Sequence, residues 1–371
     1  MKKIILSVIN DLSTDQRLDK VCSSLVNMGF DAELIGRKQR DSMDPGPRTY
    51  KTKRMRLIFE KGPCFYAEYN FRLFLLLLFK KCDILVSNDL DTLLANFWVS
   101  RLRRKPLVYD SHEYFTETPE LVNRKRVQKI WKSIERKILP RLRHVYTVNE
   151  SIAELYRKEY GIPVRVVRNV PKKKQRQDIP SRRSLGIPEN KKIILLQGAG
   201  INIQRGAEEM VEAMQYIDDA VFMIVGGGDV IGILKNMVRE MNLHEKVLFI
   251  PKQPMHKVFQ YTVHADIGIT FDKDTNLNYK YSLPNKLFDY IQAGVPVLAS
   301  PLVEVQRIID TYGIGETIDS HDPVRIAGKI RSILRNEKKL GIWQENLKFA
   351  ARELCWEREE LTLKQIFLPL G

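Results

Sequence analysis

Cysteine is scarce in this chain. There are four in 371 residues, Cys22, Cys64, Cys82 and Cys355, scattered and without metal-ligand spacing. They read as reduced, mostly buried thiols of a cytosolic protein. The six histidines contain no His-x-x-x-His pair. Long apolar runs are missing too. The longest, Leu73 to Phe79, is about a third of a membrane span, so the chain reads as soluble or peripheral rather than integral. Met1 to Asn10 runs straight into a strand-like segment with no signal-peptide architecture. Nor does a dinucleotide-type glycine loop follow that strand. Asn10, Ser13, Thr14, Asp15 and Arg17 stand there instead, which disfavours a nicotinamide enzyme.

What is abundant is positive charge. Lys and Arg number 61 against 45 Asp and Glu, a formal charge of +16. Nucleic acid, an anionic membrane and a phosphorylated substrate all fit that excess. The composition is globular, 44% hydrophobic and 29% charged, and the length suggests two domains. The opening reads β-α-β: strand Lys3 to Ile9, helix Arg17 to Met28 closed by Gly29, strand Asp31 to Gly36. A helix over Tyr66 to Phe79 carries aromatic and leucine surface. Strands Ile84 to Ser87 and Leu107 to Asp110 follow, then a basic amphipathic helix over Arg124 to Leu139 with Val127, Ile130, Trp131, Ile134 and Ile138 as its apolar side. Pro171 to Ser184 is polar, basic and aperiodic, a domain boundary. Strand-helix alternation then restarts and runs to a long final helical region, Trp343 to Phe367, interrupted near Cys355 to Glu359. Two parallel-sheet domains bind ligands at the carboxyl ends of their strands.

The stretch richest in local signals is Asn278 to Ser300. Pro284 suits a helix start, Leu287, Phe288, Tyr290 and Ile291 form an apolar face, Gly294 ends the helix and Pro296 forbids continuation. Val297 to Ala299 is a buried strand. Asn285, Lys286 and Asp289 lie in the first turns, beside free backbone N–H groups that favour phosphate. Upstream, Gly200 to Gly206 follows a strand and precedes a helix, so its N–H groups and Arg205 form a candidate diphosphate clamp or an ordinary turn. Gly226-Gly227-Gly228-Asp229 after a buried strand admits close approach of a nucleotide, or is simply a tight turn. In the first half, His112 past a strand end is a candidate acid/base or hydrogen-bonding group or a loop histidine. Asp89-Leu90-Asp91 has metal-diphosphate spacing, but helix capping is the favoured reading. The basic and aromatic helices together suit an anionic bilayer. No nucleic-acid module is visible.

Pro284-Asn285-Lys286-x-x-Asp289-Tyr290 with Ala293-Gly294-x-Pro296-Val297, Arg205-Gly206 and Gly226 to Asp229 at the expected intervals upstream, and Ala265 to Gly268, resemble the group 1 glycosyltransferases. Tyr109 to Glu113 resembles the segment holding that family's active-site histidine. The resemblance implies an α/β GT-B fold, two Rossmann-like doubly wound domains facing across a cleft. Residues 1–170 would form the acceptor domain, completed by a returning helix at about 352–371, and residues 171–351 the nucleotide-sugar donor domain. It implies a retaining, metal-independent transfer from a UDP- or GDP-sugar to a polysaccharide, glycolipid or lipid-linked acceptor, at the inner membrane face of the cytoplasm. It assigns His112 and Arg205 to catalysis, and to these Lys286 is added by inference from its place at the helix start. Gly200, Arg205, Gly227, Asp229, Tyr281, Asn285, Lys286, Leu287 and Asp289 would contact the donor, with Asp289 on the ribose. No cofactor, metal or nucleic acid is implied. Two departures stand out: Tyr281 replaces the first glutamate of the family's Glu-x7-Glu pair, and Glu208 and Glu209 occupy the region of a second basic residue, for which Lys286 is the candidate substitute. The competing readings are a nucleotide-sugar epimerase on the same fold and a non-enzymatic protein binding RNA or an anionic surface.

Overall fold

In a computed structural model of the chain, residues 1–13, 15–40, 42, 44, 46–174 and 179–371 are described. Thr14 lies outside them. The chain forms two compact units, Met1–Asn169 with Arg358–Gly371, and Val170–Glu357.

The first unit runs β1 (Lys3–Asp11), α1 (Gln16–Asn27), β2 (Asp31–Arg37), β3 (Lys51–Met55), α2 (Gly62–Phe79), β4 (Ile84–Asn88), α3 (Leu90–Arg103), β5 (Leu107–Ser111), α4 (Pro119–Val122), α5 (Lys125–Ile138), β6 (His144–Thr147), α6 (Glu150–Tyr160) and β7 (Val164–Val166). Its seven strands are parallel in the order β3-β2-β1-β4-β5-β6-β7, with Ile4 of β1 between Ala32 and Ile84. β1, β4 and β5 are buried on both faces, which is why they read as unbroken apolar runs rather than alternating ones. Local signals set the helix ends: Asp15 caps α1 through Leu18 N–H at 3.0 Å, and Asn149 caps α6 through Ile152 N–H at 2.9 Å.

The second unit continues with β8 (Lys192–Gly198), α7 (Ala207–Ala213), β9 (Ala220–Gly226), α8 (Ile231–Glu240), β10 (Val247–Ile250), α9 (Met255–Thr262), β11 (Ile267–Thr270), α10 (Leu277–Lys280), α11 (Asn285–Ala293), β12 (Val297–Ala299), α12 (Val303–Tyr312), β13 (Gly315–Thr317), α13 (Pro323–Arg335) and α14 (Glu337–Glu353). The order of this six-stranded parallel sheet is β10-β9-β8-β11-β12-β13. Alternate residues feed opposite faces: Ile194, Leu196, Phe222 and Ile224 enter one core, Ile193, Leu195, Val221 and Met223 the other. The final helix, α15 (Trp356–Phe367), returns to the first unit. There Phe367 stacks edge-on against Tyr146 at 6.4 Å, and Glu359 accepts from Arg168 N–H at 2.8 Å.

α5 departs from the expected apolar side. Its buried row is Gln128, Trp131, Glu135 and Ile138, while Ile130 is exposed. The stripe is rotated because polar partners await it: Gln128 Nε2 donates to the Thr116 carbonyl at 2.9 Å, and Tyr160 Oη donates to Glu135 at 2.9 Å.

Candidate functional site

Each sheet changes direction once: between β1 and β4 in the first unit, between β8 and β11 in the second. Carboxyl ends of strands at such points are where open parallel sheets bind ligands. The candidate residues gather there, in one cluster per unit.

In the second unit Asp272 lies just past β11, buried, and accepts from Thr270 Oγ1 at 3.0 Å. Two cations converge on it. Arg205 Nη1, from the loop after β8, is 3.5 Å from Oδ1; Lys286 Nζ, in the first turn of α11, is 3.5 Å from Oδ2. Both distances exceed an ordinary charge-assisted hydrogen bond, and Arg205 Nε is buried without a hydrogen-bond partner among the described residues. Two cations on one carboxylate, loosely held, leave a net positive charge. Burial lowers the Lys286 pKa, as does the nearby Arg205, against the opposing pull of Asp272. A buried lysine in that state gains stability from an incoming anion. The Arg205 guanidinium lies over the Tyr279 ring at 5.5 Å, which fixes its direction.

Behind this pair, Asp289 faces inward from α11. Its Oδ1 accepts from Lys174 Nζ and its Oδ2 from Gln197 Nε2, each at 3.1 Å. Gln197 in turn accepts from Thr262 Oγ1 at 2.7 Å. Asp289 is therefore engaged on both oxygens by the protein itself. Tyr281 ends α10, its N–H bonded to the Leu277 carbonyl at 3.2 Å. Asn285 is exposed at the start of α11. Leu287 is fully buried in the core and its N–H donates to the Pro284 carbonyl, so its side chain faces no ligand.

The glycine turn is tighter than its sequence suggests. A Cβ at Gly226 would sit 1.9 Å from the Gly198 carbonyl, and one at Gly228 would sit 2.2 Å from the Ile201 carbonyl. Gly227 N–H donates to Gly198 O and Ile201 N–H to Gly227 O. Asp229, exposed, gives its N–H to Asn202 at 3.3 Å. The close approach that Gly226 and Gly228 permit is thus to the protein's own β8 loop, and Gly200 lies in that same loop.

In the first unit His112 sits between two carboxylates. Nδ1 is 3.2 Å from Asp89 and Nε2 is 3.2 Å from Asp110. Arg17 grips Asp110 from the other side with Nη2 at 2.7 Å and Nε at 3.2 Å, and donates Nη1 to the Val167 carbonyl. Burial opposes charge on His112, but Asp89 and Asp110 outweigh it and raise its pKa to about 9. Asp110, though buried, is lowered to about 2 by Arg17 and His112. His112 is an imidazolium with both N–H groups donated. Asp89 is the N-cap residue of α3, as the reading favoured from sequence had it, but its side chain makes no capping hydrogen bond. Its carboxylate accepts His112 N–H at 2.8 Å as well as the ring, and its backbone takes φ 60° to do so. Asp91 is buried in the first turn of α3, with burial and Asp89 raising its pKa well above the usual range.

Sequence reasoning did not single out Asp272, Lys174, Gln197 or the Arg17–Asp110 pair. The one signal available was position, since Asp272 and Asp110 stand at strand ends.

Two family descriptions match the chain: Glycosyltransferase Family 4 over residues 16–170 and Glycosyl transferases group 1 over residues 178–349. The D-inositol 3-phosphate glycosyltransferase of Xylanimonas cellulosilytica is 19% identical over 198 residues, a match spanning 50% of this chain and 44% of the relative. Among solved structures, sucrose-phosphate synthase from Thermosynechococcus elongatus superposes with a TM-score of 0.78 at 17% identity, over 100% of this chain and 99% of its own. Anabaena HepE, solved in complex with UDP and glucose, superposes at 0.74 with 13% identity over the whole of both chains. These structures establish a GT-B fold.

Proposed function

The chain belongs to the group 1 glycosyltransferases, and on that premise we propose that it moves a sugar from a UDP- or GDP-sugar to a polysaccharide, glycolipid or lipid-linked acceptor. The observation that carries this reading is the convergence of Arg205 and Lys286 on Asp272 beside the start of α11. As the anomeric bond breaks, negative charge grows on the departing diphosphate. Arg205, Lys286 and the N–H groups at the start of α11 would receive it. The charge is met by side chains, so the transfer is read as metal-independent; retention is carried over from the family resemblance.

Asp289 is assigned to the ribose. For that it must share its oxygens or release Lys174, since aspartate is short and both oxygens are engaged. Gly200, Gly227, Asp229, Tyr281 and Asn285 are assigned to the donor through backbone or side-chain polar groups. His112 is assigned to the first unit's part in turnover as a fixed positive charge rather than a base, because both of its ring N–H groups are given to Asp89 and Asp110. Among the described residues no helix is long and apolar enough to cross a membrane. A peripheral place on the inner membrane face fits the basic first unit.

A thermal-shift screen over nucleoside diphosphates and their sugars tests the donor assignment. A true donor at about 100 times its Kd raises stability by roughly 2.7 kcal/mol. Arg205→Ala and Lys286→Ala are each expected to cost about 2–4 kcal/mol in kcat/KM. Near-wild-type rates for both would remove the assignment. An epimeric nucleotide sugar formed without acceptor would replace transfer by epimerisation, and abolition of turnover by a chelator would end the metal-independent reading.

A further inference from the structure

α2 has little polar surface, its polar side chains in the body of the helix being Glu68, Asn70 and Arg72. Phe65, Tyr69, Leu73 and Leu77 are buried, yet the outer row is also apolar: Phe71 is 64%, Leu75 39% and Phe79 82% exposed. A water-facing helix ordinarily carries charge on that side. α3 repeats the pattern at the same interval, with Leu94, Trp98 and Leu102 at 37%, 53% and 62% exposure. The two helices run side by side in the same direction. Asn70, midway along α2, bonds the Asp91 carbonyl and Ala95 N–H in the first half of α3, and Arg103 Nη1 bonds the Leu77 and Lys80 carbonyls near the ends of both. The two rows therefore lie in parallel on one surface. Glu68 holds the preceding loop onto α2 by accepting Ile58 and Phe59 N–H, each at 2.9 Å, which keeps those two exposed apolar side chains beside the rows. Around this ridge stand exposed Arg72, Lys81, Arg101 and Arg104.

We propose that the α2/α3 ridge is the face by which this protein docks on an anionic lipid bilayer, its apolar rows entering the acyl boundary and its basic rim meeting the headgroups. The choice of a bilayer rests on the reading of the chain as a peripheral membrane protein. The choice of face does not. Apolar rows ringed by cations match a surface that is apolar within and anionic at its edge. A neutral protein groove would offer no anion to Lys81, Arg101 or Arg104; Arg72 already pairs with Glu68. The basic helix α5, the other candidate from sequence, lacks such a row. Of its apolar side chains Ile130 alone is strongly exposed.

The test is vesicle sedimentation of the full chain, with phosphatidylcholine alone and with about a third phosphatidylglycerol. Wild type is expected to bind the anionic vesicles only. Trp98 reports insertion directly, since Trp131, Trp343 and Trp356 are buried: its emission should shift to the blue and be quenched by brominated lipid. Phe79→Ser with Trp98→Ser, and independently Phe71→Ser with Leu102→Ser, should each lower the partition coefficient about tenfold or more. Lys129→Glu with Lys137→Glu on α5 should lower it less. Absence of wild-type binding overturns both the docking face and the peripheral reading. Binding that survives both ridge pairs but fails in the α5 pair overturns the face and keeps the peripheral reading. A wild-type dimer that the ridge substitutions convert to monomer assigns the face to a second copy of the chain and overturns the proposal.

Discussion

His112 keeps its proton because two carboxylates hold it from opposite sides, 3.2 Å from each ring nitrogen. Its folded pKa of about 9 lies above the ordinary 6.5. The stabilisation it contributes is therefore complete below pH 6.5 and is lost as pH rises through about 9, an effect on the order of 3 kcal/mol. Asp110 works in the opposite sense. Lowered from 3.8 to about 2, it contributes above pH 3.8 and loses that contribution as pH falls through about 2. Proton NMR of the His112 ring is expected to show a midpoint near 9, moving toward 6.5 in Asp89→Asn. A midpoint near 6.5 in the wild type would contradict the clamp. None of this was legible beforehand. The histidine's place past a strand end could be read locally, but its partners come from β4, β5 and α1, and only the pairing of those elements brings them together.

At the scale of elements, α11 is where reading and structure agree best. Pro284 precedes it, Leu287, Phe288, Tyr290 and Ile291 are all buried, and Gly294 ends it with φ 67°. Each of these signals acts within a turn or two of itself, so sequence suffices. The α6 and α12 helices were not read from sequence although each has an apolar stripe: α6 buries Ile152, Ala153 and Tyr156 and takes its start from Asn149, and α12 buries Val305, Ile308 and Ile309. The glycine turn after β9 was legible as a close approach but not as an approach to the β8 loop, since that loop arrives from an adjacent strand. Glycines consequently divide into two kinds. Gly206 has φ 71°, and a Cβ there would lie 2.3 Å from Phe271 Cβ, so Gly206→Ala is expected to destabilise by about 2–4 kcal/mol. Gly232, within α8, has nothing among the described residues within 4 Å of where a Cβ would stand, so Gly232→Ala should stabilise by about 0.5–1 kcal/mol. Chemical denaturation of both variants checks the pair, and equal effects would deny the distinction.

At the scale of the molecule, the alternation of strands and helices made the two parallel sheets readable, and the interruption near Cys355 was visible as a break between α14 and α15. What the break accomplishes depends on distant sequence. α15 sends Leu363 and Phe367, both fully buried, into the first unit. Truncation after Glu357 is expected to cost that unit about 5 kcal/mol, from the burial of Leu363, Ile366 and Phe367, and to leave the second unit intact. Hydrogen exchange should then rise in β1 and β6 but not in β8 or β9; a uniform rise would refute this. The same helix has a consequence for how the protein is made. Translation delivers the first sheet early and its last helix almost 190 residues later, after Val170–Glu357 has been synthesised. The half that leaves the ribosome first is thus completed last. Until α15 emerges, the seam around Tyr146 that Phe367 covers stays open.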